Sequence, residues 1–229
     1  MNLSGDNNML AAKPDLATVS DSDRATLSLG VYDLACVRGE RTLFSGVEFG
    51  IIAGQLLLIE GANGSGKTSL LRTLCGFILP DAGEVLWRGV DIRSCMDDYL
   101  ADIHYVGHSN GVKSGLSCME NLKVALTLSA RGSSDNFPDI LRQYGLEQYA
   151  DTPVQMLSSG QRRRLALVRL AISPARIWIL DEPFTSLDAM GKQFMQQACQ
   201  QQLGSGGIIV MTSHELVHLA GITPVSFRL

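Results

Sequence analysis

The sequence is organised around one glycine-rich octapeptide, Gly61-Ala62-Asn63-Gly64-Ser65-Gly66-Lys67-Thr68. This octapeptide, the glycine-rich loop, satisfies the pattern G-x-x-x-x-G-K-[ST] in full. Its glycines allow several backbone amides to converge on phosphate oxygens without obstruction by side chains. Lys67 adds a positive charge for the β- and γ-phosphates, and the Thr68 hydroxyl can coordinate Mg²⁺. The loop therefore predicts a binding site for a nucleoside triphosphate with its magnesium ion.

The residues on either side of the glycine-rich loop place it in an α/β unit. Before it, Gln55 to Glu60 form an apolar stretch of strand length. After it, residues 67–76 have helical spacing, with three leucines on one face. A strand, a glycine-rich turn and a helix open an α/β unit, and the helix that starts near Gly66 directs its positive end at the same anion. This context favours phosphate binding over the alternative, a glycine-rich turn that contains Lys-Thr by chance.

A second candidate segment is an apolar strand that ends in two carboxylates, Ile177 to Glu182. In phosphate-loop enzymes an aspartate at this place holds Mg²⁺, which fits Asp181. Glu182 would then lie beside the γ-phosphate and orient or deprotonate the attacking water. The alternative is an ordinary solvated strand end. The presence of the glycine-rich loop upstream favours the metal and catalytic roles.

Other strand patterns surround these two segments. Residues 27–31 and 43–51 alternate apolar with polar or small residues, as half-buried strands do. Ile177 to Leu180 and Ile208 to Met211 are apolar throughout, which is typical of strands buried on both faces. We therefore predict a parallel sheet flanked by helices.

The domain organisation follows from where the periodicity begins and changes. Residues 1–26 are rich in Asn, Asp, Ser and Ala and predict a disordered tail. Residues 27–229 predict one domain. Within it, helical spacing prevails over about residues 96–165, which we interpret as a helical subdomain inserted between sheet-forming segments.

Composition restricts the class of protein. Of the 229 residues, 18% are charged and 45% hydrophobic, which excludes wholesale disorder. The net charge of −4 gives no field that would attract nucleic acid. The five cysteines are an odd number without a CxxC pair, which favours a reducing compartment. We find no secretory signal and no apolar run of membrane-spanning length, so we expect any membrane attachment to occur through a partner.

A third segment precedes a predicted amphipathic helix, and it consists of Leu157, Ser158, Ser159, Gly160 and Gln161. Serines before a helix are ordinary N-caps, and the amides of such a helix start also form an anion site. The pentapeptide resembles the ABC ATPase signature, usually LSGGQ, with Ser159 in place of the first glycine. The resemblance covers residues 27–229. It implies an α/β P-loop NTPase of the ABC type, with a mixed sheet core, an inserted helical subdomain, and ATP and Mg²⁺ as ligands.

The resemblance implies further site residues. Asp188 resembles the D-loop aspartate at the dimer seam, and His214 matches the switch histidine that contacts the γ-phosphate. His108 stands at or beside the position where the family has the Q-loop glutamine, so its protonation would make the site sensitive to pH. The adenine-stacking aromatic is missing. Arg38, or another group, would have to cover the base.

Several segments resemble the ATP-binding subunits of bacterial cytochrome c maturation systems, which are haem exporters. They are Arg41 to Phe44, Val106-Gly107-His108 with Gly111-Val112-Lys113, and Trp178 to Thr185. The resemblance implies a head-to-tail homodimer in which ATP lies between the glycine-rich loop of one subunit and residues 158–161 of the other. It also implies integral membrane partners of the CcmB type, with the CcmC type as an open addition, and a peripheral location on the cytoplasmic side of the bacterial inner membrane.

Alternatives remain open at this point. The chain could be the ATP-binding subunit of another transporter, such as an importer, because the cargo does not touch this subunit. It could be an ABC-type ATPase that acts without membrane subunits in iron–sulfur cluster or ribosome assembly. A P-loop kinase would lack the signature pentapeptide. We expect the arginines Arg162 to Arg164 to face partners or solvent, with RNA contact as the lesser alternative.

Overall fold

The computed structural model of the chain describes residues 27–107, 109–129, 136–213 and 219–229. In chain order its strands are β1 (Leu29–Arg38), β2 (Arg41–Ile51), β3 (Leu56–Glu60), β4 (Ala82–Trp87), β5 (Val90–Asp91), β6 (Ile103–Val106), β7 (Ile177–Asp181), β8 (Ile208–Thr212) and β9 (Val225–Arg228). Its α-helices are α1 (Lys67–Leu74), α2 (Met96–Ala101), α3 (Cys118–Ser129), α4 (Phe137–Gln143), α5 (Ser159–Ala171) and α6 (Ala189–Gly204). Short 3₁₀ turns at Ile92–Ser94, Glu147–Tyr149 and Val154–Met156 complete the elements.

The strands form two sheets. An antiparallel sheet has the order β2-β1-β4-β5, and a parallel sheet has the order β6-β7-β8-β3-β9. All four strand pairs of the second sheet are parallel. The carboxyl ends of parallel strands meet at one edge of a sheet, so the loop after β3 and the ends of β7 and β8 lie together there. The predicted α/β fold with parallel and antiparallel sheets is confirmed.

The core occupies both faces of the parallel sheet. Along β7, Ile177 and Ile179 belong to one buried cluster, whereas Trp178 and Leu180 belong to the other. This alternation is the two-residue period of a strand. The first cluster includes α1 and the antiparallel sheet, and the second includes α5 and α6. Apolar layers on both faces explain why β7 and β8 are apolar throughout.

The structure corrects one boundary and adds four strands. From the sequence we place the start of the helical subdomain near residue 96, but Ile103–Val106 is an edge strand of the parallel sheet, paired with β7. Its polar residues His104 and Tyr105 interrupt the apolar run that would have indicated a strand. β4, β5 and β9 were likewise not predicted. The helices α3, α4 and α5 follow β6, and their status as a separate subdomain stays a prediction.

The predicted tail, residues 1–26, lies outside the described residues. Within the ranges that the structure does describe, no helix is both long and apolar enough to cross a membrane.

Candidate nucleotide-binding site

The glycine-rich loop joins β3 to α1 and surrounds a lysine ammonium. Lys67 is buried, and its Nζ donates hydrogen bonds to the carbonyl oxygens of Gly61 at 2.8 Å and Ala62 at 3.1 Å. The hydroxyl of Ser65 is also buried and has no hydrogen-bond partner among the described residues. An ammonium held only by carbonyl oxygens and an unpartnered hydroxyl are groups that phosphate oxygens can engage. The loop therefore fits a polyphosphate.

The end of the loop requires glycine for steric reasons. Gly66 has a φ of 102°, a conformation that residues with a Cβ rarely adopt. A Cβ at this position would also come within 3.2 Å of Cδ1 of Phe44. Gly66 is the N-cap of α1, and no side chain caps this helix start. The first amides of α1 are therefore available to an anion, as the sequence predicts.

The acidic end of β7 lies against the first turn of α1. Asp181 is 2% exposed, and its two carboxylate oxygens each accept a hydrogen bond of 2.8 Å, one from Oγ1 of Thr68 and one from Oγ1 of Thr212. Thr68 and Asp181 are 113 residues apart in the chain. Hydroxyl and carboxylate oxygens are the ligands that Mg²⁺ prefers, so the donor chemistry of this pair fits the ion.

Glu182, the next residue, has an unusual backbone. Its φ is +50°, in the left-handed region, and both of its backbone polar groups are held. Its amide donates to Oγ1 of Thr212 at 3.0 Å, and its carbonyl oxygen accepts from Nη2 of Arg163 at 2.9 Å. The carboxylate accepts a hydrogen bond of 3.3 Å from Oγ1 of Thr185. The structure thus sets the position of Glu182 from three directions.

The signature pentapeptide forms the start of α5. Ser158 is the N-cap in a reciprocal capping box: its amide donates to Oε1 of Gln161 at 2.7 Å, and its Oγ accepts from the Gln161 amide at 3.2 Å. The capping box uses two of the four amides that a helix start leaves without partners, so the amides of Ser159 and Gly160 are the other two. Leu157 is buried beneath them. This helix start can bind an anion.

The glycine-rich loop and the signature pentapeptide stand at the starts of two different helices, α1 and α5. Among the residues that the structure describes, no hydrogen bond or ion pair joins residues 157–161 to the glycine-rich loop. Asp188 is exposed and caps α6, accepting a hydrogen bond of 2.8 Å from the amide of Gly191. The structure therefore unites the glycine-rich loop, Thr68, Asp181 and Glu182, and leaves the signature and Asp188 apart from them.

The prediction that Arg162 to Arg164 face partners or solvent is wrong for Arg163. This residue is 5% exposed, because the helical period places it on the inner face of α5 with Leu167 and Leu170. Arg162 donates to the carbonyl oxygen of Leu157, and both it and Arg164 stay partly exposed. The inner position of one arginine gives it a different role from its neighbours.

The remaining residues are three that the sequence predicted for the site and two that it did not. His108 and His214 lie outside the described residues, so their roles stay predictions. Arg38, the candidate for covering the base, is exposed at the end of β1. Sequence reasoning missed Arg163 and Thr212. A threonine that ends an apolar strand two residues before His214, the predicted switch histidine, was a signal for Thr212. Nothing local distinguishes Arg163 from the arginines beside it.

Comparison with known proteins identifies the family. Residues 44–185 match the family model for ABC transporters. The cytochrome c biogenesis ATP-binding export protein CcmA of Methylococcus capsulatus is 45% identical over 189 residues, which are 82% of this chain and 91% of that protein. CcmA of Escherichia coli K12 is 43% identical over 192 residues, which are 84% of this chain and 91% of that protein.

Solved structures agree with this assignment at the level of the fold. An ATP-binding subunit of an ABC transporter superposes with a TM-score of 0.75 at 23% identity, covering 82% of this chain and 80% of its own. A dimeric ATP-binding cassette in a post-hydrolysis state, bound to ADP and Pi, gives a TM-score of 0.70 at 22% identity, covering 82% and 88%. The chain therefore belongs to the CcmA family of ABC transporter ATPases, and it is an ATP-binding subunit whose hydrolysis of ATP is coupled to transport.

Proposed function

We propose that this chain works as a homodimer that hydrolyses Mg-ATP and thereby drives membrane subunits in haem export for cytochrome c biogenesis. The observation that carries the proposal is the junction of Thr68, Asp181 and Thr212 directly behind the glycine-rich loop. The process is inferred from relatives named as cytochrome c biogenesis ATP-binding export proteins.

The glycine-rich loop, residues 61–68, would bind the phosphates of ATP. The ammonium of Lys67 would exchange the carbonyl oxygens of Gly61 and Ala62 for β- and γ-phosphate oxygens, and the free Ser65 hydroxyl would add a donor. Thr68 and Asp181 would hold Mg²⁺. When bound, the ion neutralises negative charge that develops on the phosphates.

Glu182 would orient the attacking water and accept its proton. It directly follows the metal-binding aspartate, and it lies at the sheet edge that carries the phosphate loop. Its backbone is held by Thr212 and Arg163, so its carboxylate starts from a defined position. A positioned general base contributes about 10²–10⁴-fold to a reaction rate.

The second subunit would complete the site. The amides of Ser159 and Gly160 in one subunit would cap the γ-phosphate held by the glycine-rich loop of the other, since no hydrogen bond or ion pair joins the two segments in the described part of one chain. Asp188 would lie at the dimer seam. His214 would contact the γ-phosphate, and His108 would bind a water near Mg²⁺. A solved relative of the same fold is itself a dimer.

The membrane partners would be integral subunits of the CcmB type, with the CcmC type as an open addition. This chain would then be peripheral on the cytoplasmic side of the inner membrane. The domain proposed for this work is residues 27–229, with a helical subdomain that begins after β6 and ends near residue 165. We expect no nucleic-acid partner, because the net charge is −4.

The experiment uses the full chain co-expressed with its integral partner. Glu182→Gln should bind ATP with a Kd within about 3-fold of wild type, form a stable ATP-dependent dimer and hydrolyse ATP about 100-fold more slowly. Glu48→Gln, on an exposed position of β2, is the matched control and should behave as wild type. Normal turnover by Glu182→Gln contradicts the role of Glu182.

Fractionation tests the coupling to a membrane partner. The chain should sediment with membranes only when the integral partner is co-expressed. Recovery in the soluble fraction with and without that partner would instead support an assembly factor that works without membrane subunits.

A further inference from the structure

We infer that Arg163 is a positioning residue that holds Glu182 in the backbone conformation from which it acts. The inference rests on the proposed role of Glu182 and concerns a side chain with no assigned part in the reaction. Among the described residues, the hydrogen bonds of Arg163 go to Gly107, Asn110 and Glu182, and not to the predicted phosphate, metal or signature groups. It acts through the carbonyl oxygen of Glu182.

The starting observation is the backbone of Glu182. A non-glycine residue with a φ of +50° is disfavoured, because its Cβ approaches the backbone too closely. Such conformations persist when surrounding contacts define them, and they occur often at active sites. Glu182 therefore needs specific contacts that hold its peptide groups in place.

Two side chains from different elements supply these contacts. Oγ1 of Thr212, at the end of β8, accepts a hydrogen bond of 3.0 Å from the Glu182 amide. Nη2 of Arg163, in α5, donates to the Glu182 carbonyl oxygen at 2.9 Å. The two bonds hold the peptide groups before and after the Cα atom, and the Thr185 amide adds a third bond of 3.2 Å to the same carbonyl oxygen.

The guanidinium of Arg163 has the shape for this task. Nη1 donates to the carbonyl oxygen of Gly107 at 3.3 Å and to Oδ1 of Asn110 at 3.1 Å, while Nη2 serves Glu182. A planar fork with several fixed donors can bridge the β6–α3 connection and the end of β7 at once, whereas a lysine ammonium is a single compact donor group. The bridge therefore depends on arginine geometry and not on charge alone.

Burying this charge has a cost that a purely structural role would not require. Burial lowers the pKa of Arg163, and the nearby carboxylates of Asp181 and Glu182 only partly oppose that effect. An apolar side chain of similar volume often stabilises a core as well as a buried ion does. The burial of the Arg163 guanidinium is thus better explained by its hydrogen bond to the carbonyl oxygen of Glu182.

Arg169 provides a matched control on the same helix. It also donates from Nη1 to the β6–α3 connection, to the carbonyl oxygens of Asn110 and Gly111, but it makes no bond to Glu182. Comparing the two arginines shows whether loss of a bond to the Asn110 segment is by itself enough to lower activity.

The test measures ATP hydrolysis and nucleotide affinity of the full chain in complex with its integral partner. Arg163→Met and Arg163→Lys should each lower kcat at least about 10-fold and leave KM and the Kd for a fluorescent ATP analogue within about 3-fold. Arg169→Met should keep kcat within about 3-fold of wild type. If Arg163→Met fails to fold, the kcat of Arg163→Lys decides whether the inference holds, because lysine keeps the charge and the aliphatic stem.

Each other outcome has a defined meaning. Wild-type kcat in a folded Arg163 variant overturns the inference, as does an equal loss of kcat in Arg169→Met. A double variant of Arg163→Lys with Thr212→Val should lose less than the product of the two single losses, because both act on one residue; full multiplication would contradict a shared target. If wild-type protein neither binds nor hydrolyses ATP, the proposed function fails and not this inference alone.

Discussion

The substitution Thr212→Val tests how the acidic end of β7 is held together. Thr212 is 0% exposed, and its hydroxyl serves two neighbours at once: it donates to Oδ1 of Asp181 at 2.8 Å and accepts from the Glu182 amide at 3.0 Å. Valine has nearly the same shape, so the change removes the hydroxyl without creating a cavity.

The expected loss follows from the two bonds. A hydrogen bond to a charged group contributes about 1.5–3 kcal/mol, and a buried amide left without a partner costs about 1–3 kcal/mol. Asp181 keeps its bond from Thr68, which limits the first of these losses. We therefore expect the free energy of unfolding to fall by about 3 kcal/mol.

Thr73→Val is the matched control. Thr73 is equally buried, at 1% exposure, but its hydroxyl donates at 2.9 Å to the carbonyl oxygen of Ser69, one turn earlier in α1. In an α-helix that carbonyl oxygen already accepts the amide four residues later, so the hydroxyl bond is an addition. The expected loss is below about 1 kcal/mol.

Urea unfolding of nucleotide-free protein at pH 7, followed by tryptophan fluorescence, measures both variants. ATP hydrolysis should also fall at least about 10-fold in Thr212→Val, since the Glu182 amide loses its hydrogen-bond acceptor, and should stay near wild type in Thr73→Val. Equal losses of stability in the two variants would refute the assignment of Thr212 as the link between Asp181 and Glu182.

Further expected outcomes concern other parts of the site and the sheet. Burial lowers the pKa of His104 from 6.5 to about 4, so the unfolded chain binds more protons than the folded chain between pH 4 and pH 6.5. The contribution of this histidine to stability is therefore fully present above pH 6.5 and is lost as the pH falls. In urea unfolding, the free energy of unfolding should decrease by about 2 kcal/mol from pH 7 to pH 5. A His104→Gln variant should lose that part of the pH dependence, and an unchanged profile would show that other groups cause it. Lys67→Ala should weaken ATP binding at least about 10-fold in a fluorescence titration without lowering Tm by more than a few degrees; unaltered affinity would mean that the ammonium stays on its carbonyl oxygens. Ser159→Gly should keep ATP hydrolysis within about 3-fold, because the capping box uses Ser158 and Gln161 and not Ser159; a larger loss would give the Ser159 side chain a role of its own.

Local patterns were sufficient for much of the fold and for one half of the site. The glycine-rich loop carries its own conformational requirement, seen in the positive φ of Gly66. The capping box of Ser158 and Gln161 joins residues three positions apart, so it can be predicted from spacing alone. The apolar runs of β7 and β8 predicted buried strands because both faces of the sheet are covered.

Edge strands were harder to predict from such patterns. Among the strands that the structure describes, β6 pairs with β7 alone, and its residues are mostly half-buried. Its hydrophobic pattern is therefore interrupted by His104 and Tyr105, and we interpreted the segment as helical. A strand of four residues at the edge of a sheet can be identified from the strand with which it pairs, and the sequence around it does not reveal that pairing.

The amino-acid sequence carries those features of this protein that depend on neighbours within a few residues: the phosphate loop, the buried strands and the capped signature helix. Only the tertiary structure shows that Thr212 donates a hydrogen bond to Asp181, 31 residues away in the chain. The same is true of the bond from Arg163 to the carbonyl oxygen of Glu182, 19 residues away. Three adjacent arginines look equivalent as sequence, but packing against the sheet turns one of them inward. A side chain's role in such contacts depends on which surfaces the fold brings against it, and that depends on the whole chain.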